Sequence, residues 1–355
     1  MRFSNFLFPE SKTPDGDFDV IEESLAEAVL TEELGYDAVL LAEHHFDHRV
    51  QEANYYSITS SIQTMAAYAA AITKQIKIGT AVVVLPFHNP VIVAEDFATV
   101  DIMSRGRLLF GVGRGYQFEE FYNWGIDPEE SRERFQESLE IILKAWSGPI
   151  EYEGKFYQVR PVNVIPKPVQ QPHPPIYVAA VSPDTYKWVI QNGYDVMTSF
   201  LEPYEKVFEI YKEFHKEAEA AGVGGKLDLP LARFLYVSDT TARAREEIRD
   251  SLMWYFRTLL AEVIAPPPEI APPGKSDFYQ ELKAKFSAIS FEEVLENHSI
   301  IGDPDYVTER LKWVEQNTGT KHFMGWTRVG ALKPELVCKS LKMFSQYVMP
   351  EFKGE

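Results

Sequence analysis

The sequence predicts an α/β protein folded as one (β/α)8 barrel, a TIM barrel, with a single domain over residues 1–355. Three observations predict this fold. Eight largely apolar segments recur along the chain, and a helical pattern follows each of them. Some of these segments are nearly continuous apolar runs, which is typical of strands buried on both faces of a parallel sheet. Eight βα units in about 330 residues fit a closed barrel better than an open sheet.

The predicted strands have strand-like length and composition, and most end at a turn or capping residue. They are Arg2–Phe8, Tyr36–Ala42, Ile76–Leu85, Leu108–Val112, Ile176–Ala180, Asp195–Phe200, Leu231–Val237 and Lys321–Trp326. The intervening helices carry recognisable start and stop signals. Gly35 and Gly193 suit left-handed C-terminal positions, Pro90 and Pro183 suit first turns, and Asp127 suits an N-cap. The first helix has an apolar stripe formed by Ile21, Leu25, Ala28 and Val29.

Two segments exceed ordinary connection lengths. Residues 150–174 are rich in proline and aromatic residues, and residues 264–288 contain a proline run that cannot be helical. We expect an insertion and a lid loop that cover one end of the barrel. Two domains divided near 150–174 are the alternative architecture.

Composition excludes several classes of protein. The net charge of −18 over 355 residues argues against a nucleic-acid partner, since phosphate binding needs clustered lysines and arginines. The sequence contains no run of 18 apolar residues, so it predicts no membrane span. Cys338 is the one cysteine, so the sequence predicts no internal disulfide and favours a cytoplasmic location.

An acid and two histidines follow the second predicted strand directly, at Glu43, His44 and His45, with His48 three residues beyond. The carboxyl ends of parallel strands are where such folds keep their chemistry. An imidazole there suits a catalytic acid or base near neutral pH, whereas a structural hydrogen bond is the alternative. Adjacent residues at a strand end point to opposite sides, so His44 and His45 cannot readily share a metal ion. The prediction is a catalytic cluster without metal.

Two further segments suit an anion. Arg114 lies in a glycine-rich turn, Gly111–Gly115, after the fourth strand. The turn lacks the spacing of a dinucleotide fingerprint, but its arginine suits a phosphate, with a surface ion pair as the alternative. Ser182 and Thr185 stand where a helix begins after the fifth strand and offer hydroxyl and backbone donors. An ordinary N-cap is the alternative there.

Taken together, these residues resemble the bacterial luciferase-like, flavin-dependent monooxygenases, and most closely the catalytic subunit of bacterial luciferase. The segments that carry the resemblance occur in the same order over nearly the whole chain. They are Leu40–Phe46, Gly79–Pro86 with His88–Pro90, Asp101–Arg107, Phe110–Gly115, Ile176–Ala180 through Trp188, and Ile301–Pro304.

The resemblance implies a (β/α)8 barrel that binds reduced FMN, supplied by a separate flavin reductase. Such enzymes react with O₂ through a flavin C4a-hydroperoxide and oxygenate a small organic substrate, here expected to be apolar. A homodimer or a luciferase-like heterodimer is expected. A reduced-deazaflavin oxidoreductase of the same superfamily, a non-catalytic flavin-binding relative and a metal-dependent hydrolase are the alternatives.

The resemblance also assigns roles residue by residue. His44 is implied as the catalytic imidazole, with Glu43 and His45 in support. The cofactor-binding residues that it implies are Arg114, Ser182, Thr185 and Val181 for the phosphate, Ala81 and Val82 as a cis peptide under the ring, and Phe200 beside it. Gly113 and Val181 differ from the cysteine and glutamate of luciferase. These differences leave the light reaction and the long-chain aldehyde substrate open.

Overall fold

A curled sheet of parallel strands, surrounded by helices, organises the molecule. The computed structural model describes residues 1–11, 16–46, 56–57, 61–266, 271, 274 and 276–352. Among these residues, ten strands belong to the main sheet and four more form two small antiparallel pairs. No helix in the described ranges is both long and apolar enough to span a bilayer.

The strands, numbered in chain order, alternate with helices over most of the chain. They are β1 Arg2–Leu7, β2 Glu10–Ser11, β3 Ala38–Leu41, β4 Tyr56–Ser57, β5 Lys77–Thr80, β6 Val83–Val84, β7 Leu108–Gly113, β8 Ile150–Glu153, β9 Gln158–Val162, β10 Ile176–Ala179, β11 Asp195–Met197, β12 Leu231–Val237, β13 Ser299–Gly302 and β14 His322–Trp326.

The helices lie between and after these strands. They are α1 Asp17–Glu33, α2 Ile62–Ile72, α3 Pro90–Ser104, α4 Phe118–Asn123, α5 Ser131–Ser147, α6 Pro183–Asn192, α7 Tyr204–Ala220, α8 Thr241–Trp254, α9 Ala261–Val263, α10 Ser276–Ala288, α11 Phe291–Asn297, α12 Pro304–Thr318 and α13 Pro334–Met343. Short 3₁₀ turns span Leu85–Phe87 and Pro128–Glu130, and wider π-type turns span Tyr255–Leu260 and Phe344–Val348.

The order of the strands follows the barrel expectation for most of its circumference. The hydrogen-bonded path is β11-β10-β7-β5-β3-β1-β14-β12-β13, and β6 pairs separately with β7. In a closed barrel β11 would lie beside β12, but no strand ladder joins them in the described part of the chain. Val196 N–H donates to Asp228 O at 2.9 Å, and Thr198 Oγ1 donates to Pro230 O at 2.6 Å. The α/β class with a curled parallel sheet is confirmed, whereas closure of the barrel is not.

The predicted third strand is two strands in the structure. The peptide bond between Ala81 and Val82 is cis, and it separates β5 from β6. The resemblance predicts this cis bond, and the structure confirms it. β13 is a strand that is not among the eight predicted from the sequence. It pairs with the second half of β12, with Phe234 opposite Ser299 and Val237 opposite Gly302.

Both long connections contain structure of their own. The predicted insertion at 150–174 contains the antiparallel pair β8–β9. The predicted lid loop at 264–288 is wrong in its second half, because α10 occupies Ser276–Ala288. The proline run ends before this helix begins, so it does not prevent helical structure there.

The predicted helix signals are largely confirmed. Asp127 Oδ1 accepts the backbone N–H of Glu129 at 2.9 Å, and Gly35 and Gly193 both have positive φ. The apolar stripe predicted for α1 is only partly confirmed, because Ala28 is buried while Leu25 and Val29 are half-buried. Ile21 is exposed, while the face against the sheet buries Ser24, Glu27 and Thr31. Polar contacts determine which face of α1 is buried, since Glu27 Oε2 accepts a hydrogen bond from Arg328 Nε at 2.6 Å.

Candidate active site at the carboxyl ends of the strands

Glu43 is the buried centre of a polar cluster at the carboxyl end of β3. Its Oε1 lies 3.0 Å from His45 Nε2 and 2.6 Å from His88 Nε2, and its Oε2 accepts the backbone N–H of Val84 at 2.7 Å. Burial acts to raise the pKa of Glu43, but the two histidines and the Val84 N–H lower it on balance to about 2. Glu43 is therefore an ionised hydrogen-bond acceptor rather than a proton donor near neutral pH.

His45 and His88 share this carboxylate. Burial acts to lower the pKa of His45, yet hydrogen bonding to Glu43 and the negative charges of Glu43 and Glu120 raise it on balance. The ligand atoms of Glu43, His45 and His88 lie within 4.8 Å of one another, so this group has the composition of a metal site. The distances of 2.6 and 3.0 Å are those of hydrogen bonds in which both histidines satisfy one oxygen. Absence of a metal ion stays a prediction.

His44 points to a different set of partners. Its Nδ1 lies 3.1 Å from Glu120 Oε1 and 2.9 Å from Gln117 Nε2, and its Nε2 lies 3.5 Å from Tyr116 Oη. The ring packs edge-on against Phe8, with centroids 5.5 Å apart. The side chain of His44 is 21% exposed, against 9% for the side chain of His45. The expectation that the two adjacent histidines face different ways is confirmed.

Glycines bring the next strands close to this cluster. A Cβ built on Gly111 would lie 1.7 Å from Thr80 O, so only glycine allows β7 to approach β5 there. At Gly113 a Cβ would lie 2.6 Å from Val82 Cγ2, on the cis segment. This contact gives a physical reason for glycine at position 113. The cis segment, in turn, reaches Glu43 through the Val84 N–H.

Arg114 and Arg132 line one pocket with residues of β10 and α6. The pocket also contains Val181, Thr185 and Trp188. Neither guanidinium has an ion-pair or hydrogen-bond partner among the described residues. Partial burial and the positive charge of Arg132 both lower the pKa of Arg114. Two neighbouring cations without a counter-charge favour an anion in this pocket.

The start of α6 contributes Thr185 to the lining of this pocket. Ser182 is the N-cap, and its Oγ lies 2.9 Å from Thr185 Oγ1 and accepts the Thr185 N–H at 3.4 Å. The ordinary N-cap, which was the alternative interpretation, is therefore present, and the two hydroxyl groups lie close to the helix N-terminus. Val181 is 63% exposed and lines the same pocket. The structure brings Arg114, Val181 and Thr185 together, as the sequence predicts.

Phe200 lies inside the sheet rather than at the surface. Its ring is 4.8 Å from Phe6 and 5.3 Å from Trp326, measured between centroids. Phe8 and Trp326 are 5.6 Å apart, so this aromatic wall continues to His44. Trp326 was missed as a site residue, although its position at the end of the last strand could have indicated it. His48 lies outside the described residues.

Three other residues of this region were missed from the sequence: His88, Glu120 and Arg132. His88 stood within a segment of the resemblance, and its type alone could have indicated it. Glu120 and Arg132 lie on or beside amphipathic helices, where charged residues are ordinarily solvent-facing. Only the tertiary structure shows that they turn toward the strand ends.

The fold and a match to a family profile place this protein in the class of luciferase-like α/β oxidoreductases. The sequence profile of the luciferase-like monooxygenase family matches residues 1–322. The chain therefore belongs to the luciferase-like monooxygenase family, and the predicted resemblance is confirmed.

Two curated relatives illustrate the range of sequences. The oxygenase component of flavin-dependent trigonelline monooxygenase from Acinetobacter baylyi is 29% identical, over 99% of this chain and 96% of the relative. An alkanal monooxygenase alpha chain from Photorhabdus luminescens is 30% identical, over 61% of this chain and 59% of its own length.

Three solved structures share the fold. Monooxygenase RslO1 from Streptomyces bottropensis has a TM-score of 0.83 at 26% identity, covering 99% of this chain and 100% of that one. The oxygenating constituent of 3,6-diketocamphane monooxygenase from Pseudomonas putida, in complex with FMN, has 0.80 at 19%, covering 99% and 98%. An F420-dependent secondary alcohol dehydrogenase has 0.75 at 18%, covering 99% of both chains.

Proposed function

We propose that this protein is the oxygenase component of a two-component monooxygenase that uses reduced FMN and O₂. The observation that carries the proposal is the pair of unpartnered guanidinium groups of Arg114 and Arg132, unpartnered among the described residues, in one pocket with Thr185. A phosphate monoester is the anion that this pocket suits, because it accepts bidentate arginine bonds together with hydroxyl and helix N-terminal donors. The trigonelline relative, itself named an oxygenase component, supports the need for a separate reductase.

The residues present fit FMN at both ends of the cofactor. Arg114, Ser182 and Thr185, with the backbone at Val181, would hold the phosphate, and Arg132 adds a second cation. The half-buried cis segment Ala81–Val82 would support the ring, and Phe200 belongs to the aromatic wall beside it. Bound reduced FMN supplies the reaction with O₂ and the oxygen transfer. The protein supplies orientation and a site closed to water.

His44 is the acid or base of this proposal. It is partly exposed, whereas Glu43 and His45 are buried and hydrogen-bonded to each other. An imidazole at the carboxyl ends of the strands can take and return a proton near neutral pH. Glu43 and His45 hold the strand end in place, and the aromatic residues Phe8 and Trp326 exclude water beside His44. We expect the substrate to be small and apolar because these rings form the wall.

The architecture that we propose for the working enzyme is one domain over residues 1–355 with the sheet closed into an eight-stranded barrel. The hydrogen bonds between Val196 and Asp228 and between Thr198 and Pro230 support closure at the gap. Assembly as a dimer is part of the proposal from family resemblance.

Titration with FMN and a stopped-flow experiment test the proposal without knowledge of the substrate. Reduced FMN should bind under anaerobic conditions, and mixing with O₂ should return oxidised-flavin absorbance more slowly than for free reduced FMN. His44→Ala should keep FMN affinity within about twofold, reoxidise faster and release more hydrogen peroxide, because the imidazole that controls proton transfer beside the flavin is lost and uncoupled reoxidation is no longer restrained. Reoxidation identical to that of free flavin, with and without His44, would refute the proposal.

The reduced-deazaflavin alternative remains, since one structural neighbour is named for that cofactor. Parallel titrations with reduced FMN and a reduced deazaflavin distinguish the two. Tighter binding of the deazaflavin, with hydride transfer and no oxygen consumption, would favour the alternative.

A further inference from the structure

His44 Nδ1 stands between two groups with opposite hydrogen-bonding demands. Glu120 Oε1 lies 3.1 Å away and Gln117 Nε2 lies 2.9 Å away. A carboxylate only accepts, and an amide nitrogen only donates. A neutral imidazole carries a proton on one nitrogen, so Nδ1 can satisfy one of these neighbours at a time. The choice between them decides which nitrogen of His44 carries the proton.

Glu120 is the better-placed partner of the two. It is 1% exposed and its Oε1 also accepts the backbone N–H of His45 at 2.8 Å, so the carboxylate is fixed in position. A hydrogen bond to a charged acceptor is roughly twice as strong as one between neutral groups, and burial strengthens it further. A half-turn of the Gln117 amide would bring its oxygen to the same place, which would make both neighbours acceptors.

We propose that Glu120 is a positioning residue that holds the proton of His44 on Nδ1, so that the Nε2 lone pair, which Tyr116 Oη approaches at 3.5 Å, can accept another proton. In the proton cycle, Nε2 takes a proton from the reacting group, Glu120 stabilises the imidazolium that forms, and Nε2 then returns the proton. Glu120 gives up no proton itself. The catalytic consequence rests on the proposed function, whereas the tautomer assignment does not.

Glu120→Gln removes the charge while keeping an oxygen that can accept the His45 N–H. Gln117 then competes against a neutral acceptor for Nδ1. We expect the ratio of Nδ1–H to Nε2–H tautomers to fall about tenfold, since the charge-assisted share of the bond is lost. The readout is ¹⁵N NMR of the full-length, histidine-labelled protein without flavin, with the His44 signal assigned by its loss in His44→Gln.

Matched variants isolate the cause. Gln117→Met removes the competing donor and should keep the wild-type tautomer, and the double variant Glu120→Gln/Gln117→Met should regain it. Glu119→Gln, one residue earlier in α4, removes a charge of the same sign and should leave the His44 signal unchanged. An Nε2–H tautomer in the wild type, or an unchanged ratio in Glu120→Gln, would overturn the inference. If Glu120→Gln unfolds the protein, the wild-type and Gln117→Met spectra still decide which tautomer is held.

Flavin chemistry separates this inference from the proposed function. We expect Glu120→Gln to reoxidise reduced FMN faster, in the direction of His44→Ala, with FMN affinity within about twofold of wild type. If the NMR result is as expected but His44→Ala leaves reoxidation unchanged, the catalytic role of His44 fails and the tautomer assignment stands. If the NMR result fails while His44→Ala alters reoxidation, Glu120 has no positioning role and the proposed function stands.

Discussion

The two ends of the parallel sheet carry polar clusters of similar chemical composition. They differ in how many of their hydrogen-bonding and charged groups already have partners. At the amino end, Ser4 Oγ lies 2.6 Å from His322 Nε2, and His322 Nδ1 lies 2.7 Å from Asp228 Oδ2. At the carboxyl end, His44 Nδ1 lies 3.1 Å from Glu120 Oε1. Each end therefore pairs a histidine with a carboxylate. Distances alone do not tell a catalytic pair from a structural one.

Access and remaining hydrogen-bond capacity separate the two ends. The Ser4, His322 and Asp228 contacts have the order of a hydrolase triad, but Ser4 is 1% exposed and His322 is 3% exposed. Asp228 Oδ2 also accepts from Arg2 and Tyr177, at 2.7 and 2.8 Å. At the carboxyl end His44 keeps some exposure, and Arg114 and Arg132 have no partner among the described residues. The cluster at the amino end stabilises the fold, and the cluster at the carboxyl end keeps its groups available for a ligand.

Removing Asp228 should give the largest effect and should act on stability alone. Asp228→Ala leaves His322, Tyr177 and Arg2 without their shared acceptor, and breaking a buried ion pair costs about 3–5 kcal/mol. Arg2 is partly exposed, so we expect the free energy of unfolding to fall by about 3 kcal/mol, the lower end of that range, measured by urea denaturation. FMN affinity of the folded fraction should stay within about twofold. A large loss of FMN affinity without loss of stability would contradict the division between the ends.

Removing Arg114 should weaken FMN binding and leave the stability of the protein nearly unchanged. Arg114→Ala deletes one charge-assisted phosphate contact, so we expect FMN affinity to fall by about 1.5–3 kcal/mol. The free energy of unfolding should change by less than about 0.5 kcal/mol, as for surface substitutions away from packed features. Fluorescence titration measures the affinity, and urea denaturation measures the stability. Arg160→Ala, on the exposed β9, is the control, and unchanged FMN binding in Arg114→Ala would remove the phosphate assignment.

The same comparison shows which site residues a sequence can reveal. Glu43, His44, His45 and Arg114 follow strands directly, so strand prediction alone places them at the carboxyl ends of the sheet. Glu120 is 76 positions from His44 along the chain, and only the folded helix brings the two together. The amino-end cluster was missed entirely. Asp228 is in a loop before β12, and no local pattern distinguishes it from a solvated turn residue.

The fold was predictable where local periodicity and capping determine it. All eight predicted strands correspond to observed strands, because apolar runs bounded by turn residues are local signals. The buried face of α1 was only partly predictable, since it is determined by distant partners such as Arg328. Pairing between β11 and β12 depends on how neighbouring elements close the sheet, and no residue pattern in either strand specifies it.

Asp195 provides the smallest and most pH-dependent test of the amino end. Burial and the negative charge of Asp228 raise the pKa of Asp195 to about 6, although its bond from the Asp228 N–H acts to lower it. The folded protein then holds a proton that the unfolded chain loses near pH ~4. Stability from this group is present below about pH 4 and is lost as the pH rises through about 6.

Asp195→Asn keeps the oxygen that accepts the Asp228 N–H at 2.7 Å but cannot ionise. We expect the variant to match the wild type near pH ~4 and to be more stable by about 1–3 kcal/mol near pH ~8, a range that allows for partial solvent screening of the shift. Urea denaturation across this pH range measures the difference. Asp250→Asn, at an exposed position of α8, should show no such pH dependence. A variant less stable than the wild type at the upper end of the pH range would contradict this expectation. It would mean that the ionised Asp195 carboxylate stabilises the amino-end cluster, with Arg2 offsetting the charge of Asp228.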